Sequence, residues 1–226
     1  HPANHKSFAS NNGKKVGEWA YGYSYFYFDV SQFIQEGANT VAVKLSNKEF
    51  ASRWYPGAGL YRKVSVIIKN NESIDQWGQF ITTPFISDAV AKVNIKTKAS
   101  GENTRLVTTI FDAEGHKVSA EESSLRFGKE FDQNLKVENP KLWSPETPYL
   151  YKAVAQLYVG NELKDEVATR FGIREIKYEA NKGFSLNGKV TKFKGVCLHH
   201  DLGPLGAAVN KAALRRQLTI LKDMGC

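Results

Sequence analysis

Residues 77 to 174 repeat one pattern, a strand-length run closed by a turn signal, and that pattern constrains the fold more than any other feature of the chain. The runs fall at 91–95, 106–111, 135–137, 149–159 and 167–171. Between them stand Ala99-Ser100-Gly101-Glu102-Asn103, Asp112-Ala113-Glu114-Gly115 and Gly160-Asn161, each rich in residues that turn a chain. Short β-branched and aromatic runs at this spacing predict a two-layer sandwich of roughly seven strands over about 100 residues. Leu106, Ile110, Leu135, Val154 and Leu157 are its expected buried set.

The strand count and spacing are those of an immunoglobulin-like β-sandwich. The resemblance is architectural, because the two cysteines of the chain, Cys197 and Cys226, both lie outside the region. They have no zinc-site spacing and make no disulfide framework. Cys197 stands in an apolar run and reads as a small buried hydrophobe.

The first 70 residues also read as β. In "YSYFYFDV", Phe26, Phe28 and Val30 alternate with Tyr23, Tyr25 and Tyr27, which predicts a strand over 23–30. Asp29-Val30-Ser31-Gln32-Phe33-Ile34 reads as a short helical turn. Val41, Val43 and Leu45 predict a further strand, as do Val64, Val66 and Ile68. The polar "KNNES" at 69–73 marks a boundary. The opening "HPANHKSFASNNGKK" has no apolar signal-type stretch and reads as a ragged start, not as the opening of a domain.

After 176 the pattern changes. "GFSLNGK" at 183–189 is a hairpin with an Asn-Gly turn. Residues 193–198 form a short apolar run leading to His199-His200-Asp201 and a Gly/Pro loop. A helix follows, with Asn210 as N-cap, Leu214, Leu218 and Leu221 on one face, and Gly225 as its stop. Strand, loop and helix make one βα unit, which cannot bury its own faces.

Composition narrows the function. At 226 residues, 42% hydrophobic and 24% charged, the chain can build sizeable cores, and no apolar run reaches the length of a membrane span. The net charge of +8 invites a nucleic-acid reading. The lysines, however, are spread at strand spacing (Lys92, Lys96, Lys98, Lys152, Lys164), which suits a solvated sheet face better than a nucleic-acid patch. Neither nucleic acid nor membrane is expected as a partner.

Three stretches together resemble the family 2 glycoside hydrolases, which include β-galactosidases, β-glucuronidases and β-mannosidases. "RWYPGAGLYRKV" at 53–64 resembles the loop near the end of that family's jelly-roll sugar-binding domain. "NPKLWSPETPYLYKAVAQLYVGNELKDEVATRFGIREI" at 139–176 is similar to the end of its immunoglobulin-like domain, and "GFSLNGKVTKFKGVCLHHD" at 183–201 to the start of its catalytic (β/α)8 barrel. The resemblance implies a partial jelly roll over 1–73, an immunoglobulin-like β-sandwich over 74–176 and the first βα unit of the barrel over 177–226. It further implies a retaining glycosidase acting on β-linked glycosides, without cofactor, most closely a β-galactosidase. A non-catalytic carbohydrate-binding module and a structural adhesin sandwich are the readings from other classes, and the stretch from Gly183 onward argues against both.

Retaining glycosidases need two carboxylates about 5–5.5 Å apart. In the family these end the fourth and seventh barrel strands, so by resemblance this chain holds neither and is expected to be inactive alone. Its expected sugar contacts are His199, at the place where the family puts a histidine against the sugar, with His200, Asp201, Arg53 and Trp54. Cys197-Leu198 stands where many members carry Asn-Arg or Asn-Lys, and Ser52-Arg53 where some β-galactosidases carry an acid before the tryptophan. A structural role for the histidine pair stays open, as does interdomain packing for Arg53 and Trp54; a metal site is not expected. Trp143 reads as a core aromatic, and "RFGIR" at 170–174 as a junction. The apolar stripe Leu214, Leu218, Leu221 and Met224 is expected to drive self-association.

Overall fold

The computed structural model describes residues 5–21, 24–47, 59–60, 62–199, 202–206 and 210–226. The described residues are mainly β, with thirteen strands and one α-helix. The chain divides into two compact units, His1–Val64 with Cys197–Met224 and Ser65–Val196 with Gly225–Cys226.

In the first unit, β1 (His5–Asn11), β2 (Lys14–Trp19) and β3 (Val41–Asn47) pair antiparallel in the order β2-β1-β3. The expected ragged start is therefore a hairpin. Its turn is Asn12-Gly13, with φ of 50° and 79°, the left-handed pair that a two-residue hairpin loop demands. The Asn12 amide also donates to the carbonyl of Phe33 and to Asn39 Oδ1, and its own Oδ1 accepts the Thr40 N–H at 2.9 Å. The short helical turn appears as a 3-10 turn at Ser31–Phe33.

The strand expected over 23–30 has no ladder among its described residues. Its alternation nonetheless survives in burial: Phe26, Phe28 and Val30 are half-buried while Tyr25 and Tyr27 are exposed. Phe28 fills the space above Gly17, where an added Cβ would lie 2.3 Å from its ring. Residues 64–68 likewise lack a ladder, and Ile68 is 93% exposed. Alternation sets which side chains share a face, whereas a ladder also needs a neighbour with unpaired backbone groups.

The second unit holds β4 (Ile74–Ile86), β5 (Val90–Ala99), β6 (Thr104–Phe111), β7 (Lys117–Leu125), β8 (Glu130–Glu138), β9 (Tyr151–Val159) and β10 (Glu162–Phe171). They form two antiparallel sheets, β4-β5-β8 and β10-β9-β6-β7. One core cluster joins Val93, Ile95, Leu135 and Val137 to Ile110, Tyr151 and Ala153; a second joins Ile74, Ala99 and Phe131 to Leu106, Ala155 and Leu157. Each draws on both sheets, so the sheets face one another as a sandwich. Thr97, Thr108 and Gln133, all buried, occupy the strand positions between the two clusters, so the core carries a polar layer at mid-height.

Leu106, Ile110, Leu135 and Leu157 are buried as expected. Val154 is not, because it lies three residues from Leu157 and successive strand side chains alternate faces. The polar 69–73 segment lies along the sandwich: Lys69 Nζ is 3.1 Å from Asp165 Oδ2, and the Asn70 amide donates to the Lys164 carbonyl at 2.7 Å.

Candidate functional site

The segment that leads to His199 starts from a built corner. After the sandwich come β11 (Ile176–Glu179), β12 (Gly183–Leu186) and β13 (Lys189–Val190), an antiparallel sheet in chain order. Asn187-Gly188 turns β12 into β13 with φ of 50° and 77°. The Asn187 side chain donates to the Trp143 carbonyl at 3.0 Å and accepts the Glu175 N–H at 2.9 Å. The Trp143 N–H in turn donates to the Ile173 carbonyl, and the Arg174 guanidinium sits 4.9 Å from the centroid of the Trp143 ring. Gly172 is required here, since a Cβ would lie 2.7 Å from the Cβ of Trp143. Three separate sequence motifs, "LWSP" at 142–145, "RFGIR" at 170–174 and "SLNGK" at 185–189, thus make one joint. Trp143 is half-buried, a junction residue and not a core one.

Beyond the hairpin, the Thr191 N–H donates to the Phe184 carbonyl and the Phe193 ring lies 4.5 Å from that of Phe184. From there to His199 the chain has no ladder, and Phe193, Val196, Cys197, Leu198 and His199 are exposed. This corrects two expectations, a strand over 193–198 and a buried Cys197. A strand needs a neighbour with unpaired backbone groups, and no described segment pairs with 193–198 or covers the thiol.

His199 is the one expected site residue within the described part. His200, Asp201, Arg53 and Trp54 lie outside it. The loop that follows contains a 3-10 turn, Gly203–Leu205, and leads to α1 (Lys211–Asp223). Asn210 caps α1 as expected, its Oδ1 accepting the N–H groups of Ala212 and Ala213 at 2.9 and 3.2 Å. Gly225, at φ 86°, closes the helix. Leu214 and Leu221 are half-buried, while Leu218 and Met224 are exposed.

Three described carboxylates have displaced ionisation, all downward. Hydrogen bonds from Ser31, side chain and then backbone, lower that of Asp29. For Asp112 partial burial pushes upward, but the backbone N–H and ring of His116 outweigh it. Backbone and Ser144 hydrogen bonds lower that of Glu146. A glycosidase general acid needs the opposite displacement, so none of these three is poised for that work. Among the described residues no three His, Cys, Asp or Glu side chains gather as a metal would require.

Comparison with known proteins bears on the chain nearly throughout. Residues 73–174 match the family model "Glycosyl hydrolases family 2". A β-galactosidase of Bacteroides ovatus is 41% identical over 226 aligned residues, covering 95% of this chain and 27% of that protein. A putative β-glucuronidase of Formosa agariphila is 38% identical, covering 95% of this chain and 21% of its own. The crystal structure of a glycosyl hydrolase family 2 member from Bacteroides cellulosilyticus superposes with a TM-score of 0.88 at 34% identity, over 99% of this chain and 32% of that one. The chain therefore spans about a fifth to a third of the length of these relatives.

Proposed function

We propose, for a chain that is family 2 glycosyl hydrolase sequence, that the protein it belongs to is a retaining glycosidase cleaving terminal β-glycosidic bonds, with β-galactosides the favoured substrates. The supporting observation is similarity along nearly the whole chain, loop, sandwich and hairpin alike, to a β-galactosidase. A β-glucuronidase is the second reading, favoured by the comparable similarity of a relative named as such. In this reading residues 1–73 are the later part of a jelly roll, 74–176 an immunoglobulin-like sandwich and 177–226 the first βα unit of a (β/α)8 barrel. The joint around Asn187 supports a boundary at that point. The two catalytic carboxylates lie outside the 226 residues, and the chain alone does not turn over substrate.

The test is to assay the whole protein on nitrophenyl β-galactoside, β-glucuronide and β-mannoside. Hydrolysis of the galactoside should lead; no hydrolysis of any of the three would refute the proposal. In the same assay His199→Ala should lower kcat/KM by about tenfold or more, the size of one lost hydrogen bond to substrate. An unchanged value would remove His199 from the sugar site.

The stripe on α1 is proposed as a self-association surface, with Leu218 and Met224 its exposed members. Leu218→Lys with Leu221→Lys should shift the sedimenting species toward monomer. A wild-type chain already monomeric at the same concentration would contradict this.

A further inference from the structure

We propose that the outer face of the sheet β4-β5-β8 binds an acidic saccharide, a pyranose chain bearing carboxylate or sulfate groups. The face is laid out in three columns. On β4 stand Phe80, Thr82 and Phe85; opposite them on β5 stand Lys96, Asn94 and Lys92; and on β8 stand Asp132, Asn134 and Lys136.

Phe80 and Phe85 are five residues apart, so a regular strand would point them to opposite faces. The register shift between Thr82 and Phe85 re-phases the strand and puts both outside, while Ile81 and Ile86 both stay on the core. Phe80 is 65% exposed and Phe85 47%. A second shift, between Ile74 and Gln79, carries Trp77 at φ 56°, a conformation that a bulky side chain adopts at a cost, and Trp77 is 62% exposed. Trp77 and Phe80 line a shallow hollow with Lys96, Lys98 and Glu130.

The chemistry of the columns selects the ligand. A pyranose offers an apolar C–H face to stack on an aromatic ring and a rim of hydroxyls for neighbouring polar groups. Here the apolar column is one ring wide and every position beside it is polar, which leaves too little contiguous apolar area for a protein partner. Charge then separates acidic from neutral sugars. Lys96 and Lys98 are balanced by Glu130 and Asp132 at 3.7 to 4.0 Å. Lys92 and Lys136 face each other directly, a like-charge pair on adjacent strands, and neither has an ion-pair partner among the described residues. Lys92 Nζ lies 5.7 Å from the centroid of the Phe85 ring, so an anion held by the lysine pair leaves its sugar ring beside Phe85.

The experiment is an amide chemical-shift titration of the 226-residue chain with tetragalacturonate, repeated on the whole protein. Shifts should centre on Phe80, Phe85, Lys92 and Asn94 in both. Phe80→Ala with Phe85→Ala should weaken binding at least tenfold, and Lys92→Ala with Lys136→Ala at least threefold, both variants keeping the wild-type melting temperature. No shift at millimolar ligand overturns the proposal. Equal affinity for a neutral tetrasaccharide, or for polyphosphate by the double phenylalanine variant, overturns it too. A response from the chain but none from the whole protein shows the face covered by protein, and has the same consequence.

Discussion

Gln133→Ala should destabilise the sandwich by about 2–4 kcal/mol, the sum of a cavity and of polar groups left without partners. Gln133 is fully buried on β8, yet its amide reaches across the core to the other sheet. Its Oε1 accepts the Thr108 hydroxyl at 2.5 Å, while its Nε2 lies 3.2 to 3.3 Å from the carbonyls of Leu106 and Glu121 and from the Ser123 hydroxyl. Alanine deletes all of these at once and strands the Thr108 hydroxyl in a dry interior. Gln133→Leu with Thr108→Val should recover part of the loss, because removing both partners of a buried bond costs less than removing one. Urea unfolding of the chain measures both. A Gln133→Ala loss below about 0.5 kcal/mol, the size of an ordinary surface substitution, would mean that the polar layer does not tie the sheets together.

That layer shows what the sequence could and could not reveal. The sandwich was legible because β5, β6, β8 and β9 alternate and the turns carry Gly, Asn and Asp. Four of the five expected core positions are buried, and Val154 fails on the same parity rule that places the others. The pattern missed β7, "KVSAEESSL", whose Ser and Glu residues give no apolar alternation because neither face of it is fully buried. It also missed β1 and β2, although Asn12-Gly13 is the same dipeptide that turns the 183–189 hairpin. Gln133, a polar residue between two apolar core positions, reads from sequence as a break in alternation. Only its partners on the facing sheet, Thr108 and Ser123, explain it.

The runs at 24–30, 64–68 and 193–198 show the opposite limit. Their composition is right for strands, and in the first of them burial alternates as expected. A ladder, however, depends on a neighbouring segment that no local pattern specifies. The candidate site was legible only through resemblance. His199 sits at the end of one such unladdered run, and the remaining expected contacts lie outside the described residues. The Phe80 and Phe85 column was hidden for a simpler reason, since a bulge changes the phase of a strand without leaving a periodic trace in its sequence.

The location of the catalytic carboxylates is the decisive point. A retaining glycosidase forms a covalent glycosyl–carboxylate intermediate, and on the function proposed above the chain's 23 acidic residues include neither member of the catalytic pair. Trapping that intermediate locates the nucleophile directly. The whole protein and the 226-residue chain are each incubated with an activated 2-deoxy-2-fluoro-β-galactoside, then weighed intact and digested for peptide mapping. The whole protein should gain one fluorosugar on an Asp or Glu beyond these residues, and the chain alone should gain none. A fluorosugar mapped to any acidic residue between positions 1 and 226 would contradict the account.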